Sequence, residues 1–476
     1  MSLALYNTLS RAVEPVSPVA PPRVTVYACG PTIWNYAHVG NFRTFLTVDL
    51  LNRYLRWRGF EPFLIMNLTD VDDRIIKQAH EAGKTIREQT DPYAAAFFED
   101  RDWLRIRPAD VYPRATDAIA AMIELVQRLL DNGVAYRGDD GSVYFAVGRL
   151  PQYGRLSRLD TRELKTGARV ASDEYAKEEA RDFALWKAAS PDDEAAGAAW
   201  DAPFGRGRPG WHLECSAMAL REIQERFGVN TLDIHAGGID LVFPHHENEI
   251  AQSEGATGTT FARHWVHGEF LNIAGTKMSK RFGNILTVRD LREEGVSPAA
   301  VRALTLGTHY RQALNWNDEA LTSAAEGVRR IGDFARRLAE TPAGQADNAP
   351  PDGVKEFLAD FRAALDDDLN APEGMAALFT FVRWANRELD QGSLDPAGVA
   401  AVRSAFESVM QVFDILPVTA SADDELARWV EERLAARQAA KKARDFAGAD
   451  AIRDELKARG IEVEDTPQGP RWRLTG

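Results

Sequence analysis

Residues 24–66 read VTVYACGPTIWNYAHVGNFRTFLTVDLLNRYLRWRGFEPFLIM. The run Val24-Thr25-Val26-Tyr27-Ala28 is apolar and β-branched and stops at Cys29-Gly30-Pro31, as a strand does on entering a loop. After Gly40, the apolar positions Phe42, Phe45, Leu46, Leu50, Leu51, Tyr54 and Leu55 return at helical spacing, with Gly59 as a stop. Phe63-Leu64-Ile65-Met66 is then a second buried strand. Strand, helix and strand in that order make a βαβ unit, hence a parallel sheet with right-handed crossovers.

Outward from this unit, 134–147 reads as a hairpin, followed by charged segments and an Ala/Asp/Pro-rich run over 190–203. We read 130–203 as an insertion that splits the sheet-bearing domain into 22–129 and 204–262. Strand signals resume at Leu232-Asp233-Ile234-His235, and Phe270-Leu271-Asn272-Ile273 leads into a lysine-rich loop within a further segment, 263–325. From about Pro298 the pattern is helical, broken by a Pro/Gly/Ala-rich linker at 341–353 and again at 417–424. The expected fold class is therefore α/β: a Rossmann-type parallel-sheet domain split by an insertion. A helical bundle over 326–418 and a small α+β C-terminal domain over 419–476 follow it.

A chain of 476 residues suggests two to four domains, and 45% apolar with 27% charged residues is the balance of a soluble globular protein. Glu14 and four prolines from Pro15 to Pro22, without a long apolar run, leave no readable leader or membrane anchor. A cytoplasmic protein is expected, with a monomer as the default. The net charge of -14 excludes a chain-wide attraction for nucleic acid, so any RNA contact must come from local patches. Cys29 and Cys215 are the only thiols, which leaves no disulfide framework and suits a reducing compartment.

Two distant segments suit phosphate chemistry. In Ala37-His38-Val39-Gly40-Asn41, His38 and Gly40 precede a helix starting near Asn41, where unpaired N–H groups and the helix dipole attract anions. Glycine there admits a close nucleotide, and the imidazole is placed to stabilise charge on a pentavalent α-phosphate. The plainer reading is a histidine that caps its own helix. Lys277-Met278-Ser279-Lys280-Arg281 follows a strand in a polar loop flanked by Gly275 and Gly283. Lys277 and Lys280, together with Mg2+, would offset charge on a departing pyrophosphate. A solvated lysine turn is the plainer alternative.

Pro244-His245-His246-Glu247-Asn248-Glu249 follows an apolar run and opens an expected helix, with Pro244 in its first turn. His245 and Glu249, four apart, share a face; His246, three from Glu249, is not excluded by spacing. Two thiolates, an imidazole and a carboxylate suit zinc, with Glu247 as a supporting partner. Buried thiols beside a charged helix is the plainer account. In the tail, Arg433, Arg437, Lys441 and Arg444 recur at helical spacing as either a solvated face or a phosphate-contacting stripe. Asp465-Thr466-Pro467-Gln468-Gly469 reads as a hairpin loop. Trp472, between Arg471 and Arg473, is either a core anchor or a stacking platform for a base.

The order of the two phosphate motifs resembles the ATP-handling signatures of class I aminoacyl-tRNA synthetases. Further segments narrow the likeness: Tyr27 to Thr32, Asn67-Leu68-Thr69-Asp70-Val71-Asp72-Asp73, Gly207 to Met218, His235 to Glu249, Lys277 to Asn284 and Glu464 to Gly469. With these the chain resembles the cysteinyl-tRNA synthetases over nearly its whole length. The least similar parts are the N-terminal Pro-rich segment, 190–203 and 341–353.

This resemblance implies that Cys29, Cys215, His245 and Glu249 hold one Zn2+, to which the thiolate of L-cysteine adds, and so prefers His245 to His246. It implies ATP with Mg2+ at His38, Gly40, Asn41, Asp240, Lys277 and Lys280. Trp211 borders the side-chain pocket. Gly30, Thr69 and Asp240 hold the amino-acid backbone or the ribose, a division left open. It makes 419–476 an anticodon-binding domain, with Arg433, Arg437, Lys441, Arg444 and Trp472 as tRNA(Cys) contacts, and 263–325 the loop and stem-contact region. Arg281 stands where the family usually has serine.

The implied reaction has two steps: the cysteine carboxylate attacks the α-phosphate, then the 2'-hydroxyl of the terminal tRNA adenosine takes the aminoacyl group. A thiolate-selective metal makes a separate editing domain unnecessary. Two rivals remain. One is the cysteine ligase of mycothiol synthesis, which has no use for the tail. The other is a non-catalytic tRNA-binding paralogue, in which loss of a zinc ligand or a signature lysine is expected.

Overall fold

The computed structural model describes residues 2–158, 182–277, 285–345, 350–417, 424–442, 445–466 and 469–474. A hairpin of β1 (Ala4–Asn7) and β2 (Ala12–Pro15) comes first. The βαβ unit follows as β3 (Arg23–Ala28), α1 (Val39–Trp57) and β4 (Glu61–Met66). Gly59, with φ of 82°, turns the chain after α1 through a conformation that favours glycine. Three helices come next: α2 (Asp73–Ala82), α3 (Ile86–Trp103) and α4 (Ile119–Asp131). A separate antiparallel sheet in the order β5-β6-β7-β8 is built from β5 (Ala135–Arg137), β6 (Val143–Phe145), β7 (Phe183–Ala188) and β8 (Gly207–Pro209), with α5 (Pro191–Ala195) before the last strand.

The chain then returns to the first sheet through α6 (Trp211–Phe227), β9 (Leu232–Gly238), α7 (Glu247–Thr257) and β10 (Ala262–Gly268). That sheet is parallel throughout, in the order β10-β9-β3-β4. Its winding reverses between β3 and β9, which opens a crevice at their carboxyl ends. Strand alternation distributes the side chains of β3: Val24, Val26 and Ala28 join the core around α1, while Tyr27 and Cys29 join the core around α4 and α6.

Beyond the sheet lie β11 (Leu271–Ile273), β12 (Thr276–Lys277), α8 (Val288–Glu293), α9 (Pro298–Leu306) and β13 (Leu314–Trp316). The reading of a helical pattern from about Pro298 up to the break at 341 misses β13, which pairs in parallel with β11 in the order β12-β11-β13. Its three residues carry too little pattern to be seen, and the pairing is what makes them a strand. The bundle consists of α10 (Asp318–Glu340), α11 (Asp352–Asp366), α12 (Ala371–Gln391) and α13 (Pro396–Phe413) around Phe334, Phe357, Phe361, Phe381, Phe406 and Phe413.

Bundle and sheet domain meet on buried charge. Asp49 of α1 accepts from Arg53 at 2.8 Å and pairs with Arg302 of α9 at 2.7 Å, and Arg302 also donates to the Phe413 carbonyl at 3.1 Å. The tail has a small core of its own, Val430, Leu434, Leu456 and Ile461, formed by α14 (Asp424–Lys442), α15 (Phe446–Ala458), β14 (Ile461–Thr466) and β15 (Gly469–Leu474). Thr466 pairs with Gly469, so Asp465, Thr466 and Gly469 belong to the ladder and not to the hairpin loop read from the sequence. Among the described residues, no helix is long and apolar enough to cross a membrane.

Candidate active site

β3 and α6 each deliver one thiol to the carboxyl end of the parallel sheet. Cys29 leaves β3 on the face that carries Tyr27, Cys215 lies one turn into α6, and their Sγ atoms are 4.0 Å apart. Glu249 of α7 brings Oε1 to 3.8 Å from Cys29 Sγ and 3.1 Å from His245 Nε2. The donor atoms of Cys29, Cys215, His245 and Glu249 all lie within 4.8 Å of one another, and all four residues are buried. Ligands of a tetrahedral zinc stand about 3.3–3.8 Å apart, so this set has the right size. Burial pushes the Cys29 thiol well above its usual range, and Cys215 and Glu249 beside it push the same way. A divalent cation at the centre would reverse those effects, so the donor set fits a metal. His245 is held neutral by burial and by His212 and His235, as a metal-binding imidazole must be.

The helical turn read from the sequence is present: Phe243 is extended, and from Pro244 a wide turn carries His245 and His246 directly into α7, so His245 and Glu249, four apart, face one another. Glu247 departs from expectation, because its carboxylate accepts from Gly154 N, Leu156 N and Ser157 N and ties down the 154–157 segment.

A second set, Cys29, His235, His246 and Glu249, meets the same 4.8 Å limit, so proximity alone does not choose between His245 and His246. Hydrogen bonding does not choose either, because each ring is engaged at both nitrogens: His245 faces Glu249 Oε1 with Nε2 at 3.1 Å and His212 with Nδ1. His246 is engaged at both nitrogens, with Nε2 3.3 Å from Cys29 Sγ and Nδ1 2.7 Å from His267 Nε2. His267 Nδ1 in turn lies 2.7 Å from Thr8 Oγ1. If the Thr8 hydroxyl donates, each ring passes a donor inward and His246 Nε2–H points at Cys29 Sγ. Burial keeps both rings neutral, lowering His246 far below its usual range and His267 to about 3. Gly237 makes room for His246, since a Cβ there would stand 2.7 Å from the ring. His235 Nε2 is 3.0 Å from Glu249 Oε2, and His245 Nδ1 is 3.0 Å from His212 Nδ1. Sequence reasoning missed this gathering of His212, His235, His246 and His267 around the thiols. Its one signal is that the chain has only nine histidines and several fall in the segments quoted above.

At the amino end of α1, His38 is the N-cap. Its Nδ1 accepts from Asn41 N at 3.2 Å, while Asn41 Oδ1 accepts from His38 N at 3.1 Å. The plainer reading, a histidine capping its own helix, therefore describes one edge of the ring. An accepting Nδ1 leaves the neutral ring's proton on Nε2, the opposite edge. Burial lowers the His38 pKa, against a smaller opposing effect of Asp240. Asp240, on the loop after β9, folds back over Gly238 near Thr44. Gly40 lies in the first turn of α1. The main chain at 286–287 returns to this end of the helix: Val39 N donates to Leu286 O at 2.9 Å, and His38 forms a β-bridge with Thr287. Lys277 ends β12; Lys280, with Arg281, lies outside the described residues.

Gly30 N donates to Asn67 Oδ1 at 2.9 Å, and Asn67 Nδ2 donates to Thr69 Oγ1 at 3.0 Å, so Asn67, quoted in the sequence without a role, joins these two residues. A Cβ on Gly30 would overlap the Asn67 carbonyl, which explains the glycine through packing. Trp211 opens α6, is 39% exposed and stacks on His245 with ring centroids 4.4 Å apart.

The basic stripe of the tail does not form as read. Arg437 is 5% exposed and turned into the fold, and Arg433 lies 3.6 Å from Glu455, so α14 packs against α15 through part of the face that was to be free. Lys441 is exposed, and Arg444 lies outside the described residues. Trp472 is half-buried against the tail's small core, in keeping with the anchor reading.

Residues 15–326 match the family model described as tRNA synthetases class I (C) catalytic domain. Residues 360–417 match the DALR domain, and residues 423–473 the Cysteinyl-tRNA ligase anticodon binding domain. The chain is 44% identical over 471 residues to a cysteine–tRNA ligase of Chlamydia pneumoniae, covering 98% of each chain. It is 44% identical over 482 residues to that of Solibacter usitatus, covering 99% of this chain and 100% of the other. Among solved structures it is similar to Mycobacterium tuberculosis methionyl-tRNA synthetase in complex with methionyl-adenylate. There the TM-score is 0.59 at 16% identity, over 83% of this chain and 90% of that one, a likeness of fold alone.

Proposed function

The chain belongs to the cysteine–tRNA ligases, class I synthetases that join an amino acid to tRNA at the expense of ATP, and from that membership we propose how its residues divide the work. Cys29, Cys215, His245 and Glu249 hold one Zn2+. Bound there, zinc would supply a soft Lewis acid that prefers a thiolate to a hydroxyl, and these four residues would thereby let the site reject serine without a second, hydrolytic site. His246 and His235 orient Cys29 and Glu249 and are not ligands themselves. Trp211, stacked on His245, walls the cysteine pocket, and the linked residues Gly30, Asn67 and Thr69 hold the amino-acid backbone.

In the first step a cysteine carboxylate oxygen bonds to the α-phosphorus of ATP and the bond to pyrophosphate breaks. His38, with Nδ1 occupied by its own helix, presents Nε2–H to an α-phosphate oxygen. Gly40 and Asn41 shape the helix start against the phosphates, and Asp240 takes the ribose. Lys277 and Lys280, with Mg2+, carry the charge of the leaving pyrophosphate. In the second step the 2'-hydroxyl of the terminal adenosine of tRNA(Cys) attacks the acyl carbon and AMP leaves. Positioning and charge stabilisation supply most of the rate in both. The tail reads the tRNA with Arg433, Lys441, Arg444 and Trp472 as candidate contacts, Arg437 holding the tail together from within. A match to an anticodon binding domain over 423–473 favours RNA as the acceptor over an amino sugar.

The observation that carries this reading is the convergence of both thiols, His245 and Glu249 in one buried cluster after β3. The test is cysteine-dependent ATP–pyrophosphate exchange with serine as control, followed by charging of total tRNA. Exchange with cysteine alone and a charged tRNA product are expected. Exchange without charging of a matched tRNA would point to a small-molecule acceptor.

A further inference from the structure

Arg43 lies on α1 five residues after the cap His38, is 3% exposed, and has main-chain carbonyls as its hydrogen-bond partners. Nη1 donates to Glu269 O at 2.8 Å and to Phe270 O; Nη2 donates to His309 O at 3.4 Å and to Gln312 O. A planar guanidinium can serve two separate segments in this way, whereas a lysine ammonium, with three donors on one nitrogen, cannot span them. The two segments are the entrances to neighbouring strands: Glu269 and Phe270 lead into β11, and His309 to Gln312 lead into β13. β11 is also paired with β12, which ends at Lys277. The far side of the same lysine-bearing stretch is attached to the same helix, through Leu286 and Thr287 on Val39 and His38. The opening turns of α1 thus hold the chain both before Lys277 and after the lysine-rich stretch.

We propose that Arg43 is a positioning residue for adenylate formation. It touches neither substrate; it fixes the root of β11 to the helix capped by His38 and so sets the separation between that imidazole and Lys277. The proposal rests on the roles given above to His38 and Lys277. Burying a guanidinium costs free energy, and burial lowers its pKa to about 10 against the opposing charge of Glu269. The four carbonyls are what it holds in return.

The test compares Arg43→Lys, Arg43→Ala and Lys277→Ala in the full chain, with ATP and cysteine varied separately in pyrophosphate exchange. Active sites are counted by the adenylate burst, and bound zinc is measured. For Arg43→Lys, kcat/KM for ATP should fall roughly 10- to 100-fold while the cysteine KM and zinc content stay within about twofold. Millimolar guanidinium chloride should restore part of the exchange lost in Arg43→Ala. Normal exchange in both Arg43 variants overturns the proposal. So does a loss shared by ATP and cysteine that follows the count of active sites and is not restored by guanidinium, since that describes a role in folding alone. Normal exchange in Lys277→Ala removes the reading beneath the proposal and the proposal with it, whereas a fall in Lys277→Ala with none in Arg43→Lys overturns Arg43 only.

Discussion

Replacing Cys215 by alanine leaves Cys29 facing His245 and Glu249 across a gap where a second thiol stood 4.0 Å away. Cys215→Ala should lose its zinc and its cysteine-dependent exchange together; normal metal content with unchanged activity would remove Cys215 from the ligands. The same measurement separates the two neighbouring imidazoles. His245→Ala should release the metal, while His246→Ala should retain it and bind it more weakly by about 10- to 100-fold, the cost of a lost supporting hydrogen bond. The reverse ranking would favour the set containing His235 and His246. Lys280→Ala should depress exchange by about 100-fold or more while cysteine binding, followed by calorimetry, holds; unchanged exchange takes that lysine out of the mechanism. The gathering of the two thiols with Glu249 and the His245–His246 pair was readable because their types are rare or suit a metal, whereas the choice of histidine came from the resemblance alone. Asn67 and Arg43 were not readable, because an asparagine after a strand and an arginine inside a helix acquire meaning only from the carbonyls and amides the fold brings to them.

α8 rests on α3 through a poorly matched contact. Asp100 of α3 is fully buried, its oxygens make no hydrogen bond among the described residues, and the nearest cations, Arg289 and Arg292 of α8, stay 4.0 and 3.9 Å away. Burial raises the Asp100 pKa to about 6, and the two arginines only partly oppose it. A carboxyl whose folded-state pKa is raised adds stability below its unfolded pKa and loses it as pH rises through about 6. Asp100→Asn, uncharged throughout, should therefore melt higher than the parent near pH ~8, by up to about 2 kcal/mol, and lose that advantage near pH ~4. A melting advantage equal at both ends, or a lower melting point near pH ~8, contradicts the assignment. At this scale the βαβ unit was plain because β3, α1 and β4 each carry their own periodicity. β1, β2 and β13, at three or four residues, do not; β13 is a strand because β11 is beside it. The register of the tail hairpin was misread for a related reason, since turn-forming residues such as Asp465 and Gly469 also fit the last pairs of a ladder.

Removing residues 424–476 takes away a unit with a core of its own, while the sheet and bundle stay joined by Asp49, Arg53 and Arg302. The shortened enzyme should make adenylate at the parental rate and charge tRNA at least about tenfold less well, with a weaker dependence on salt. Equal loss of both activities would make the tail a structural support for the catalytic part. The α/β class and the order of the parts were legible from the sequence, because composition shifts and breaks mark them; the way distant parts lock together was not, since no local pattern encodes it. The amino-terminal hairpin shows what that means in time. Tyr6 N bonds to Asp368, Thr8 N to the Trp265 carbonyl, and the Thr8 hydroxyl meets His267 in the chain that runs to Cys29. A ribosome adding about 5–20 residues per second takes roughly 20 to 70 s to go from one end of the Tyr6–Asp368 contact to the other. For that interval Tyr6 N lacks Asp368, although β2 is already beside β1 and Thr8 can dock on Trp265 and His267 of β10 about a hundred residues earlier. Translation can therefore close the metal cradle while the bundle is still unmade, and the oldest residues are fastened twice, first to β10 and later to the bundle.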